Sequence, residues 1–146
     1  MEDKPKVGWI GTGVMGFHMC RHLIEKGYDL SVFNRTESKA EGLLKIGAKW
    51  MQPKEIAETC DIVFLMLGFP RDVEAMCLGE QKILNHMKKG SVLIDHTTSK
   101  PSLACEIYDA AKEKGISSID APVSGGDVGA KEGKLVTMCG GEKEGL

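Results

Sequence analysis

The chain has 146 residues, of which 42% are hydrophobic and 27% are charged, and its formal net charge is −2 at pH 7. This length suits one globular domain with a sizeable buried core. The nearly balanced charge gives none of the basic field that nucleic-acid-binding proteins present, so we expect no nucleic-acid partner.

The sequence also argues against a membrane partner and against a metal site. Its longest apolar run, Ile62 to Leu67, is far too short to cross a bilayer, and the first residues, "MEDKPKV", have no signal-type apolar region. We expect a cytoplasmic location, with a removed organelle leader as the alternative. The five cysteines are odd in number and form no CxxC pair, which is typical of small buried residues and not of disulfide or zinc frameworks.

Predicted strands and helices alternate along the chain. Strands are predicted at 6–10, 30–33, 48–51, 61–67, 91–96, 116–120 and 134–139. Helices are predicted at 14–26, 37–46, 53–59 and 101–114, with shorter helical pieces around 70–77 and 80–88. Thr36 is predicted to cap the second helix, and Pro53 to open the third.

This alternation predicts an α/β fold with a doubly wound, mostly parallel sheet of the Rossmann type. Because no linker-like stretch divides the chain, we treat residues 1–146 as a single dinucleotide-binding domain. The strand at 61–67 shows almost no polar alternation, so we expect it to be buried on both faces. In such sheets, ligands bind beyond the carboxyl ends of the strands.

A glycine-rich turn follows the first predicted strand. The residues Gly11-Thr12-Gly13-Val14-Met15-Gly16 form a GxGxxG motif that closes a strand and opens a helix, the context in which this motif indicates dinucleotide binding. Gly11 permits the tight turn, Gly13 lets a pyrophosphate approach the backbone, and Gly16 lets the helix pack on the strand. The first turn of that helix would hold the phosphates with its free N–H groups.

The second strand ends in "VFNRT", which indicates NADP more than NAD. An NAD site usually has Asp or Glu here to bind the ribose 2′-hydroxyl, whereas this chain has Asn34, Arg35 and Thr36. An arginine pairs well with a 2′-phosphate, and a threonine hydroxyl can assist. The alternative is that Thr36 only caps the next helix and that Arg35 is solvated.

The stretches "GWIGTGVMGFHMCRHL", "VFNRT", "FLML", "IDHTTSKP" and "DAPVSGGDVGAKEGKLVTMCGG" occur in this order. Together they resemble the N-terminal half of the β-hydroxyacid dehydrogenases, a family that includes 3-hydroxyisobutyrate dehydrogenase and, more distantly, 6-phosphogluconate dehydrogenase. The resemblance covers nearly the whole chain. It implies hydride transfer between NADP(H) and a small hydroxy acid or semialdehyde that carries a carboxylate.

The resemblance also implies roles for individual residues. Met66 and Leu67 would line the cofactor, and Thr98 would lie near the nicotinamide. Ser124, Gly125 and Gly126 would bind the substrate carboxylate, a role that suits a hydroxyl and backbone N–H donors.

The resemblance further implies an all-helical domain that carries the general acid/base lysine, and we expect that domain to lie outside these 146 residues. We therefore expect no catalytic residue here and little turnover by the chain alone. Any homo-oligomer would form through that helical domain.

A stand-alone NADPH-binding or sensing module is the alternative function. His96, at the end of a predicted strand, is a weaker acid–base candidate, and we favour a structural role for it.

Overall fold

The computed structural model describes residues 4–79, 81–97, 100–121, 123–124 and 136–137. Its strands are β1 (Lys6–Ile10), β2 (Asp29–Phe33), β3 (Lys49–Trp50), β4 (Ile62–Leu65), β5 (Val92–Asp95), β6 (Ser117–Asp120), β7 (Val123–Ser124) and β8 (Val136–Thr137). Its α-helices are α1 (Val14–Glu25), α2 (Glu41–Lys45), α3 (Pro53–Thr59), α4 (Pro70–Cys77) and α5 (Pro101–Glu113).

Six strands form one parallel sheet in the order β3-β2-β1-β4-β5-β6. This is the doubly wound order in which the direction of winding reverses between β1 and β4. β7 and β8 form a separate antiparallel pair, with Ser124 opposite Val136. The predicted fold class is confirmed.

Two apolar clusters hold helices against the sheet. The larger packs Val63, Leu65 and Leu93 against buried residues of α3, α4 and α5. The smaller packs Val7, Trp9 and neighbouring strand residues against α1 and α2. The sheet is therefore covered from both sides around β1.

Two predictions about the strand at 61–67, its bounds and its burial on both faces, were wrong in detail. β4 spans Ile62–Leu65, shorter than the predicted 61–67, and its residues alternate between half-buried and buried. The alternation arises because Val63 and Leu65 face the larger cluster, whereas Phe64 on the other face is only partly covered. The apolar run alone could not show which face the helices would cover.

Two helical predictions also need correction. The region 37–46 begins as a 3₁₀-helix, Glu37–Ala40, before α2 starts, and Thr36 at its N-cap makes no side-chain capping hydrogen bond. In the region 80–88 only the 3₁₀ segment Ile83–Asn85 is helical among the described residues. In both places a short 3₁₀ segment replaces part of the expected α-helix, as is frequent at helix ends and in connecting segments.

The cysteine interpretation holds for three of the four described thiols. Cys20, Cys60 and Cys77 are buried, whereas Cys105 on α5 is exposed, and all four are free. Among the described residues, no helix is both long and apolar enough to cross a membrane, and no group of three or more His, Cys, Asp or Glu side chains could hold a metal ion.

Candidate functional site

The carboxyl ends of the central strands meet at one edge of the sheet, where backbone hydrogen bonds tie each exit to its neighbour. Gly11 N donates to Phe33 O at 2.9 Å, and Met66 N donates to Ile10 O at 2.9 Å. Further along the same edge, His96 N donates to Leu65 O at 2.8 Å. The motifs that follow β1, β2, β4 and β5 are therefore brought together, as the parallel fold predicts.

The glycine turn is built by close backbone approaches. Gly11 has a φ of +105°, and a Cβ placed on it would lie 2.1 Å from Met66 O. A Cβ on Gly16 would lie 2.2 Å from Gly11 O and 3.1 Å from Trp9 Nε1. Neither position has space for a side chain, so these two glycines are required by the turn itself.

Gly13 differs from these two glycines because it faces open space. It is exposed, and among the described residues no heavy atom beyond its chain neighbours would lie within 4 Å of a Cβ built on it. Gly13 is also the N-cap of α1, and none of the described side chains caps that helix. The N–H groups of the first helical turn therefore have no side-chain acceptor among the described residues, an arrangement that suits an anion.

Thr12, next to Gly13 in the turn, has a buried polar atom without a described partner. The residue is only 2% exposed, and its Oγ1 has no hydrogen-bond partner in the described part of the chain. A buried hydroxyl without a partner is uncommon in native structures and requires an explanation such as a bound ligand. Together with Gly13 and the helix terminus, it fits the pyrophosphate of a dinucleotide.

The buried side chain of Trp9 stabilises the glycine turn. Its indole Nε1 donates to Gly11 O at 2.9 Å, and its ring stacks on Phe64 with a centroid separation of 4.9 Å. The side chain is only 1% exposed. A buried, hydrogen-bonded indole thus fixes the peptide that begins the glycine motif.

Asn34 connects the glycine turn to the tip of β2. Its Oδ1 accepts from Thr12 N at 3.1 Å, and its Nδ2 donates to Thr36 O at 2.9 Å. Asn34 therefore stands where many NAD sites place an acid, but its carboxamide already binds backbone groups of the protein. Sequence reasoning placed it at the site without identifying this bridging function.

Arg35 is a highly exposed charged group at the β2 end of this edge. Its side chain is 87% exposed, and its Nη2 lies 3.2 Å from Oδ1 of Asp72 on α4. The sequence interpretation missed Asp72, because nothing local connects residues 35 and 72. Thr36 is also exposed.

A second chain of contacts orders the tips of β4 and β5. Leu67 N donates to Thr97 Oγ1 at 2.8 Å, and Thr97 N donates to Asp95 Oδ1 at 2.9 Å. Burial raises the pKa of Asp95 from 3.8 to about 6, even though the bonds from Thr97 oppose the shift. Asp95 and Thr97 were not predicted as site residues; their signal was two polar residues at the end of an apolar strand, Asp95 as the last residue of β5 and Thr97 just beyond it.

His96 packs as a structural residue. Its ring stacks on Phe64 with a centroid separation of 5.4 Å, and its Nδ1 lies 2.7 Å from Ala121 O. Burial lowers its pKa, so the neutral ring is favoured. These contacts support the structural role that we favoured over an acid–base role.

A cavity of about 370 Å³ lies away from the glycine turn, between α5 and the end of β6. Its lining includes Asp95, Tyr108 and Asp120. Burial raises the pKa of Asp120 as well. No sequence-predicted site residue among those described lines it.

Several predicted site residues lie partly or wholly outside the described residues. Thr98, Gly125 and Gly126 lie outside the described residues. For Val14 and Ser124 the backbone is described and the side chain is not. Met15 is half-buried in the first turn of α1, and Met66 contributes the carbonyl that contacts Gly11.

Comparison of this sequence with known proteins shows the family to which the chain belongs. Residues 6–146 match the family described as the NAD binding domain of 6-phosphogluconate dehydrogenase. A probable 3-hydroxyisobutyrate dehydrogenase-like protein of Arabidopsis thaliana is 53% identical over 94% of this chain and 42% of its own length. An NAD-dependent L-serine dehydrogenase of Pseudomonas aeruginosa is 36% identical over 97% of this chain and 48% of its own length.

Comparison with solved structures finds the same fold in dehydrogenases and related proteins. The 3-hydroxyisobutyrate dehydrogenase of Mycobacterium tuberculosis, solved with L-serine, aligns with a TM-score of 0.91 and 27% identity over 99% of this chain and 49% of that one. Psf3 in complex with NADP+ aligns with a TM-score of 0.86 and 30% identity over 94% of this chain and 49% of that one. The chain spans about half the length of these relatives.

Proposed function

Because the chain belongs to the family of the NAD-binding domain of 6-phosphogluconate dehydrogenase, we propose that it binds NADP(H) at the glycine turn as the cofactor half of a β-hydroxyacid dehydrogenase. The observation that carries this proposal is the surface at Gly13. There the N-terminus of α1 has no side-chain cap among the described residues, Gly13 has open space at its Cβ position, and the adjacent Thr12 has a buried hydroxyl without a described partner. Each of the three features suits a phosphate.

The reaction that we propose is reversible hydride transfer to the carbonyl of a small semialdehyde or keto acid. When bound, the nicotinamide supplies or accepts the hydride at its C4 atom. Backbone N–H groups of the first turn of α1 hold the pyrophosphate, while Met66 and Leu67 line the cofactor. We place Thr98 near the nicotinamide.

We assign substrate binding to Ser124, Gly125 and Gly126, whose hydroxyl and N–H groups would hold a carboxylate. Proton transfer to the alcohol oxygen falls to a lysine in the part of the relatives that this chain does not span. Such a group contributes about 10²–10⁴ in rate. We therefore expect the 146-residue chain with NADPH and succinic semialdehyde to show no steady-state turnover above background.

We propose NADP over NAD because Arg35 is accessible and because Asn34 already uses its carboxamide within the protein. An acid that could bind the 2′-hydroxyl is missing from the β2 tip, whereas a guanidinium that could bind the 2′-phosphate is present. Cytoplasm remains our proposed location; the Arabidopsis relative is described as mitochondrial.

The test of the phosphate site is Gly13→Ala. Because a Cβ there meets no atom of the described residues beyond the chain neighbours and Gly13 has a φ of −66°, we expect the variant to keep its fold, while the added methyl enters the space that we assign to the pyrophosphate. We expect thermal unfolding within a few degrees of the wild type and at least tenfold weaker binding of both NADPH and NADH, measured by calorimetric titration. Unchanged binding of both cofactors in a folded Gly13→Ala variant would show that the glycine turn is not the site.

The test of cofactor preference is Arg35→Ala. Loss of charge-assisted bonds to a phosphate, at roughly 1.5–3 kcal/mol, predicts about 10- to 100-fold weaker NADPH binding with NADH binding nearly unchanged. Arg21→Ala is the matched control, because Arg21 lies two turns along α1 and pairs with Glu25 at 2.9 Å. Equal losses for NADPH and NADH in Arg35→Ala would contradict the assignment to NADP.

A further inference from the structure

We propose that Asp72 is a specificity-determining residue, which weakens the preference for NADPH over NADH by holding the Arg35 guanidinium and by repelling the 2′-phosphate. This inference rests on the proposed function, in which Arg35 receives that phosphate. It adds a residue from a different element, α4, whose charge opposes the selection that Arg35 makes.

The contact joins two parts of the chain that the fold brings together. Arg35 follows β2, whereas Asp72 lies in the first turn of α4, yet Arg35 Nη2 and Asp72 Oδ1 are 3.2 Å apart. The arginine side chain is 87% exposed and the aspartate side chain 20% exposed. A ligand that approaches Arg35 from solvent therefore also approaches the Asp72 carboxylate.

Asp72 is the fixed member of this pair. Its Oδ2 accepts from Phe69 N at 3.1 Å, and its backbone N–H donates to Phe69 O at 3.0 Å, forming a closed cap at the start of α4. The positive end of the helix dipole stabilises a carboxylate at this position. Consequently the negative charge stays where it is, whatever the long arginine side chain does.

The pair is weak enough to be opened by a phosphate. Exposed ion pairs contribute little to stability, because solvent screens them and two side chains lose freedom. Arg35 also has five N–H donors, and the structure records one hydrogen bond from its guanidinium to Asp72. A phosphate bound to the remaining donors would then lie within several ångströms of a fixed negative charge.

The size of the repulsion can be bounded. A phosphate that carries nearly two charges, held about 6 Å from a carboxylate in water, is disfavoured by roughly threefold to tenfold in binding constant. The 2′-hydroxyl of NADH has no such charge. Removing the Asp72 charge should therefore tighten the binding of NADPH and leave that of NADH alone.

Asp72→Asn is the matched substitution, because its amide oxygen can still accept from Phe69 N. We expect its dissociation constant for NADPH to fall by about threefold to tenfold, its constant for NADH to stay within about twofold, and the NADPH gain to shrink as salt rises. Glu74→Gln, an exposed acid two residues further along α4, is the control and should change neither constant.

The inference is overturned if Asp72→Asn leaves NADPH binding unchanged, weakens it, or tightens NADPH and NADH equally. In an Arg35→Ala background, Asp72→Asn should give a smaller gain, because the repulsion is still relieved but no guanidinium is left to be released. If Asp72→Asn does not fold, Asp72→Ser provides the same comparison with another side-chain acceptor.

Failure of this inference can be separated from failure of the proposed function. If Arg35→Ala weakens NADPH selectively while Asp72→Asn has no effect, only the inference about Asp72 fails. If Arg35→Ala does not discriminate between the cofactors, the NADP assignment itself fails.

Discussion

The centre of the carboxyl edge and its β2 end are built by opposite means. At the centre, Gly11 and Gly16 leave no space for a Cβ, and Thr97 is buried and hydrogen-bonded. At the β2 end, Arg35 is held by one exposed ion pair. The centre is thus specified by backbone packing, which tolerates few changes, and the β2 end by charge, which can change without loss of the fold.

The largest expected effect of a single substitution is at the centre. Gly11→Ala would combine an unfavourable positive φ with a contact of 2.1 Å to Met66 O. Backbone strain and overpacking together predict a loss of about 2–5 kcal/mol in the free energy of unfolding. Urea denaturation measures it, with Gly13→Ala as the control that should lose about 1 kcal/mol or less. A Gly11→Ala variant as stable as the wild type would remove the contrast between the two regions.

A second effect at the centre depends on pH. The pKa of Asp95 is raised to about 6 in the folded protein from 3.8, so between those values the folded state binds more protons than the unfolded state. Its contribution to stability therefore decreases as pH rises from about 4 to about 6, by about 1–3 kcal/mol.

Asp95→Asn should abolish this decrease, and urea denaturation of both proteins at pH 4, 5, 6 and 7 measures the difference. His96 titrates in the opposite sense but is present in both proteins, so it cancels. Asp61→Asn is the control with the opposite sign, because the hydrogen bond from Lys88 lowers the pKa of Asp61. An identical pH dependence of Asp95→Asn and the wild type would show that Asp95 is not perturbed by burial.

The smallest effect is expected at the residue that joins the two regions. Asn34→Ala removes the acceptor for Thr12 N and the donor to Thr36 O, which predicts a loss of about 1 kcal/mol in unfolding free energy. Asn34→Asp keeps the acceptor and should recover part of the loss. If Asn34→Ala instead lowers the free energy of unfolding as much as Gly11→Ala does, the β2 end cannot change without loss of the fold, contrary to our description.

The sequence predicted the centre of the edge well, because its determinants are local. A strand, three spaced glycines and a helix identify the turn, and the alternation of elements identifies the sheet. The positive φ of Gly11 and the absence of space at Gly16 are what that motif requires.

The sequence could not predict contacts between distant segments. Nothing near Arg35 indicates that Asp72 would face it, and the Thr97 hydroxyl reaches Leu67 only because β4 and β5 are neighbours in the sheet. Capping was likewise misjudged at Thr36, since residue type gives a preference and the local backbone decides whether the hydroxyl reaches an N–H group.

Trp9 gives the molecule a built-in optical probe. Its indole is hydrogen-bonded to Gly11 O and stacked on Phe64, and the chain has two tryptophans in all, the other being Trp50 on β3. In a Trp50→Phe background, the tryptophan fluorescence would come from one ring packed against the glycine turn. Local loosening of that turn could then be followed separately from unfolding of the whole domain.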